Sequence, residues 1–211
     1  MSNSKTKLKT TLLLTTSFLL LQSCSTIMKK MYGIKNPEIE NEQTIKKQAL
    51  KYDLDTSNIV TVYSQSTVSA ISAYGIPNAA IYDGNGKYIE YRQNDTACNA
   101  GLFQFIPDLK LTNSYNKPDS LDLKGELAKY RDMKGNALSE VGKADFYVLI
   151  YWAVWTGKLN KDHVKIWEDL AKNNKNCKIE IIKVNLDFQE YWNLEYNEKV
   201  VVRVNNKKKK R

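Results

Sequence analysis

Phe146-Tyr147-Val148-Leu149-Ile150-Tyr151-Trp152-Ala153-Val154 decides the fold. The run shows no alternation of wet and dry positions. That suits a strand covered on both faces, and so one that lies inside a parallel or mixed sheet. A turn at Thr156-Gly157 follows. Then comes a helix from about Asn160 to Asn173, with Val164, Trp167, Leu170 and Ala171 on one apolar stripe and charge elsewhere. The next strand is Lys178-Ile179-Glu180-Ile181-Ile182-Lys183-Val184-Asn185. A strand–helix–strand unit this short predicts parallel strands joined by a right-handed crossover. The class is α/β.

Upstream, Ile45, Ala49 and Tyr52 at helical spacing predict a short helix over Thr44–Tyr52. Asn58-Ile59-Val60-Thr61-Val62-Tyr63 reads as a strand. The spacing of Val68, Ile71 and Tyr74 predicts a helical turn or two, stopped by Gly75. Pro77 to Tyr82 and Lys87 to Tyr91 form a hairpin pattern around Asp83-Gly84-Asn85-Gly86, residues that tolerate a tight turn. A short helix is expected from about Asn99 to Ile106, closed by Pro107. Residues 108–125 are turn-rich, and a helix is expected within Leu121 to Met133. Lys199 to Val204 reads as a last strand.

The ends of the chain carry most of its charge. Of the +9 net charge, three come from Lys5, Lys7 and Lys9 and five from Lys207 to Arg211, which leaves about one for the body. A basic nucleic-acid-binding face is therefore not indicated. With 211 residues, 42% of them hydrophobic, and 13 Tyr and 4 Trp, the chain can build one ordinary core. Lys5 to Lys9 precede the apolar run Leu12 to Leu21, about ten residues. That is too short to span hydrocarbon but suited to a secretory leader. Leu21-Gln22-Ser23-Cys24 then resembles the bacterial lipobox. The resemblance implies cleavage before Cys24, thioether lipidation and acylation there (palmitate and related chains), and anchoring in the cell envelope. Ser25 lacks the aspartate of inner-membrane retention, which implies the outer membrane, facing the periplasm. The expected organisation is a signal peptide over 1–23, a lipidated tether over 24–43, a domain over 44–204 and a basic tail over 205–211.

Residues 146 to 187 are similar to the periplasmic thioredoxin-like oxidoreductases. In that family an apolar strand ends in Phe-Trp-Ala-x-Trp-Cys-x-x-Cys. Here Tyr151-Trp152-Ala153-Val154-Trp155 matches the aromatic part, and Val184-Asn185-Leu186-Asp187 matches the close of the next strand. The resemblance implies a thioredoxin-like mixed sheet flanked by helices. It also implies a groove near Trp152, Trp155, Thr156, Gly157 and Pro77. The two cysteine positions, however, fall on Thr156 and Leu159. Thiol–disulfide exchange needs a thiolate attacker and a resolving thiol, so the dithiol mechanism is absent. Thr156 is left as a helix N-cap and Leu159 as a packing residue. The family's cis-proline hairpin follows its active site, whereas here Gly75 to Lys87 looks like that hairpin placed upstream. A permuted strand order is one account. A hairpin that merely carries Pro77 is the other.

After Cys24 only Cys98 and Cys177 remain, so a disulfide and two unpaired thiols both stay open. His163 is the only histidine, which excludes triads and multi-histidine metal sites. Asp83 and Asp95 lack the ligand rhythm of a calcium loop. Gly84-Asn85-Gly86 joins strands rather than opening a helix, so no phosphate cradle is present. Tyr88, Tyr91, Tyr147 and Tyr151 read as core. No catalytic residue, cofactor or metal is indicated. Three roles compete: a non-catalytic binding or scaffolding module for an envelope protein or peptide, a redox enzyme relying on Cys98 or Cys177, and a structural subunit of an envelope complex.

Overall fold

The computed structural model describes residues 29–94, 98–119, 122–138 and 141–192. The leader, Cys24, the strand expected over 199–204 and the basic tail lie outside the described residues. In chain order the elements begin with β1 (Ile39–Glu40), α1 (Glu42–Lys51), β2 (Ile59–Val62) and α2 (Gln65–Ser72). β3 (Asn78–Asp83) and β4 (Tyr88–Ile89) form the hairpin, followed by α3 (Leu102–Phe105), α4 (Leu123–Leu127) and β5 (Tyr130–Arg131). Then come β6 (Phe146–Trp152), α5 (Ile166–Asn173), β7 (Ile179–Asn185) and β8 (Phe188–Gln189).

Six strands make one mixed sheet in the order β4-β3-β6-β7-β2-β5, and β1 pairs with β8 in a small parallel ladder. β6 and β7 run parallel from Phe146↔Ile179 to Trp152↔Asn185, as the short crossover requires. β3 lies antiparallel on the other side of β6, with Asn78 opposite Tyr151. All seven residues of β6 are buried, which explains why the run has no alternation. The hairpin and the strand–helix–strand unit therefore share one sheet, and the Ile76–Pro77 bond is cis.

Two apolar layers cover the sheet. On one face Ile45 and Ala49 of α1, Leu102 of α3, and Val164, Trp167 and Ala171 pack against Ile81, Val148, Ile150 and Trp152. On the other, Val68 of α2 and Leu123 of α4 pack against Tyr82, Tyr147, Leu149, Tyr151 and Val184. Losing a buried Trp such as Trp167 costs about 3–5 kcal/mol in such a core. Tyr88, Tyr91, Tyr147 and Tyr151 are all buried, as core residues. Tyr151 and Tyr130 share a hydroxyl contact of 3.1 Å, and Tyr130 donates to Glu126 Oε2 at 3.0 Å. Among the described residues Lys183 Nζ and Glu168 Oε1, 2.8 Å apart, form a charged pair inside the fold, both residues fully buried.

Several local features follow from sequence chemistry. Asn41 caps α1, accepting from Thr44 N at 3.1 Å while its own N–H donates to Thr44 Oγ1 at 2.9 Å. Asp83 Oδ1 accepts from Asn85 N and Lys87 N, each at 2.9 Å, so the Asp-Gly-Asn-Gly segment is a turn. Other details differ from expectation. The helix within 121–133 is only Leu123–Leu127, and Tyr130–Arg131 instead pairs with β2 as an edge strand. Two residues are too few to show a period. The described part of the tether is folded against the body: residues 29–32 form a helical turn, and Ile39–Glu40 pair with Phe188–Gln189. Among the described residues no helix is long and apolar enough to cross a membrane.

Candidate functional site

Of the five candidate groove residues, Trp152, Trp155, Thr156 and Gly157 lie at or just beyond the end of β6, and Pro77 lies at the start of the neighbouring β3. Pro77 immediately precedes Asn78, which faces Tyr151, so the antiparallel register brings Pro77 level with Trp152. Beyond β6 the chain turns through a short 3-10 segment, Val154–Thr156. Trp152 is fully buried under the helix layer, whereas Trp155 is half-buried against the opposite apolar layer.

The turn is held from beneath by side chains at the end of β7. Asp187 Oδ2 accepts from Val154 N at 2.7 Å and from Asn185 Nδ2 at 2.7 Å. Asp187 is 1% exposed, and its Oδ1 has no partner among the described residues. Burial pushes the Asp187 carboxyl up to about 7, against the pull of these hydrogen bonds, and nearby Glu40 adds to the rise. Glu40 and Gln189, also buried, belong to the β1–β8 ladder beside it. The Val-Asn-x-Asp sequence at the end of an apolar strand was the available signal for this cluster: two polar residues where an apolar run stops.

Thr156 does not cap a helix. Its hydroxyl lies 2.7 Å from Ala153 O and 2.9 Å from Asn160 Oδ1, and Asn160 Nδ2 donates to Ala153 O at 2.8 Å. Among the described residues no helix N–H donates to this hydroxyl, which is engaged with its own turn and with Asn160, and the helical segment that follows has Leu159 at its N-cap. The helix itself starts wide, as a π turn over Asn160–Lys165 ahead of α5, with no side-chain cap. Thr156 and Asn160 are both buried, at 1% and 0% exposure. Leu159 is half-buried and stands at the N-cap of that π turn.

The groove is occupied by the protein's own chain. Lys158 N donates to Tyr32 O at 2.7 Å, and Lys35 N donates to Trp155 O at 2.9 Å. Tyr32 to Lys35 thus form a strap across the Trp155–Lys158 turn. Gly157, at φ +62, lies directly beneath: a Cβ there would stand 2.2 Å from Tyr32 O and 2.6 Å from Gly33 O. Only glycine permits both that backbone conformation and that approach.

The two thiols are free, so the Cys98–Cys177 disulfide left open by the sequence is not formed. Cys177 is half-buried, its thiol 3.2 Å from Leu109 O, and burial raises its pKa. Cys98 is exposed and precedes Asn99, whose Nδ2 donates to Pro77 O at 2.8 Å. His163 packs between Phe103 and Trp167, with ring centroids 5.7 and 5.6 Å away. Among the described residues no group of three His, Cys, Asp or Glu side chains is arranged to hold a metal ion.

Sequence reasoning missed one further concavity. A cleft of about 460 Å³ opens beyond the end of β2, lined by Tyr63, Ser64, Gln65, Arg131, Gly135, Tyr191 and Trp192. No known family pattern matches the chain, and no curated protein or solved structure is detectably similar to it.

Proposed function

We propose that this chain is a lipid-anchored protein of the bacterial cell envelope, held through acylated Cys24 at the outer membrane and facing the periplasm. Its thioredoxin-like domain carries no dithiol chemistry and works as a binding or scaffolding module for an envelope protein or peptide. The observation that carries the reading is the state of Thr156. Where the resemblance puts the attacking sulfur, the chain has a hydroxyl that is 1% exposed and already bonded to Ala153 O and Asn160. Such a group neither ionises at neutral pH nor meets a substrate. Support for the domain assignment comes from the shared sheet: the hairpin that opens at Pro77 lies beside the Trp-Ala-x-Trp strand, as a permuted chain order requires.

A thiol titration of the full-length protein in detergent, run beside an insulin-reduction assay, tests both halves. Lipidation consumes one of the three cysteines, so two titratable thiols are expected, Cys98 and Cys177, with no insulin turnover above background. Three titratable thiols refute the anchor. Turnover that disappears in Cys98→Ser refutes the non-catalytic reading and assigns the chemistry to the exposed thiol beside Asn99 and Pro77.

A further inference from the structure

The cleft beyond β2 is built unlike the rest of the surface. It lies outside the carboxyl end of a parallel strand, the place where open α/β sheets take their ligands. Its volume is within the range of small-molecule sites.

Its walls are aromatic and fixed. Tyr191 OH donates to Val62 O at 2.9 Å and sits 2.9 Å from Thr61 Oγ1, which pins the ring. The same ring rests on Gly135, at φ +90, where a Cβ would stand 2.8 Å from Tyr191 Cδ2. Trp192 presents a shielded indole N–H that has no partner among the described residues. Tyr63 remains 47% exposed, a flat apolar face turned to solvent.

The charged side chain in its lining is a cation, Arg131. The Arg131 guanidinium lies 5.4 Å from the Tyr63 ring centroid, and Nη1 is anchored on Ala128 O at 3.0 Å and Tyr130 O at 2.7 Å. Among the described residues no carboxylate pairs with it. The nearby carboxylate of Asp132 is engaged by its own turn, accepting from Lys134 N, Asn136 N and Asn136 Nδ2. Gln65, also in the lining, opens α2, whose first turn holds no acidic residue, so the helix dipole adds to the same sign. One fixed cation beside flat aromatic walls matches a ligand with one negative charge and one flat ring.

We propose that this cleft binds an aromatic carboxylate, its ring against Tyr63 and Tyr191 and its carboxylate on the free edge of Arg131. The site is separate from the Trp155 turn and does not depend on the reading given for that turn or for Cys24. Isothermal titration of the full-length protein in detergent with 4-hydroxybenzoate tests it, with phenol supplying the ring without the charge and acetate the charge without the ring. Saturable binding is expected, with phenol and acetate each at least about tenfold weaker, the loss that follows from removing one charge-assisted contact or the stacking face. Tyr63→Ala, at a half-exposed position, and Arg131→Gln should each weaken 4-hydroxybenzoate by about tenfold while thermal melts confirm a folded protein. Equal affinity for phenol and the carboxylate, unchanged affinity in Tyr63→Ala, or no saturation up to about 10 mM overturns the proposal.

Discussion

Asp187→Asn isolates the cost of a buried acid. In the native protein the Asp187 carboxyl has a pKa of about 7, against 3.8 when freely hydrated, because ionising it in a dry site is unfavourable. The folded state therefore holds this proton over a pH range in which the unfolded chain has released it. Stability from this residue is fully present below about pH 4. It falls as pH rises towards 7 and is level above that, the reverse of a salt-bridged aspartate. A rise from 3.8 to about 7 corresponds to at most about 4 kcal/mol between pH 4 and pH 7. An asparagine keeps one oxygen for Val154 N, 2.7 Å away in the native protein, and puts an uncharged NH₂ in place of Oδ1, the oxygen that has no partner among the described residues. Urea titrations of the full-length wild type and variant, followed by tryptophan fluorescence at pH 5 and pH 8, measure the difference. At pH 5, already above the unfolded value, the variant should lead by about 1–2 kcal/mol. At pH 8 the variant should be the more stable, by about 2–4 kcal/mol. Equal pH slopes in the two proteins would show that Asp187 stays ionised in the fold and that its burial is not what governs it.

Three further outcomes follow from the packing. Gly157→Ala places a methyl 2.2 Å from Tyr32 O and should displace the strap, so trypsin should cut faster after Lys29, Lys30 and Lys35 while the sheet core stays protected. Lys183→Met leaves Glu168 buried with the partly exposed Lys172 at 3.4 Å as its remaining cation beside the Asp55 N–H at 3.2 Å, and chemical denaturation should show a loss of about 3–5 kcal/mol, much of it recovered in Lys183→Met/Glu168→Gln. Asn41→Ala removes the reciprocal cap of α1 and should cost about 1 kcal/mol, read as a shifted denaturation midpoint with an unchanged slope.

Local chemistry made much of the architecture legible. The unbroken apolar run at 146–154 announced a central strand because a strand covered on both faces has no wet side to encode. The parallel return through β7 followed from the shortness of the crossover, and the Asp83 turn from an aspartate followed by two glycines. The polar pairs at the site were harder to find. Asn160 and Asp187 matter through partners contributed by the turn at 153–156, and Asn185 through Asp187. Arg131 lay inside a stretch whose weak periodicity predicted a helix, and its edge strand is two residues long.

Taken alone, the order of residues determined the α/β class, the parallel β6–β7 unit and the absence of sulfur at positions 156 and 159. Each of these is a property of one residue type or one short period. Only the folded chain decided that the hairpin lies beside β6, that residues 32–35 cover the Trp155 turn, and that Arg131 meets Tyr63 and Tyr191 in one cleft. Those contacts join segments from about 60 to more than 120 residues apart, and no local pattern records which distant backbone will occupy a neighbour's free hydrogen-bonding groups.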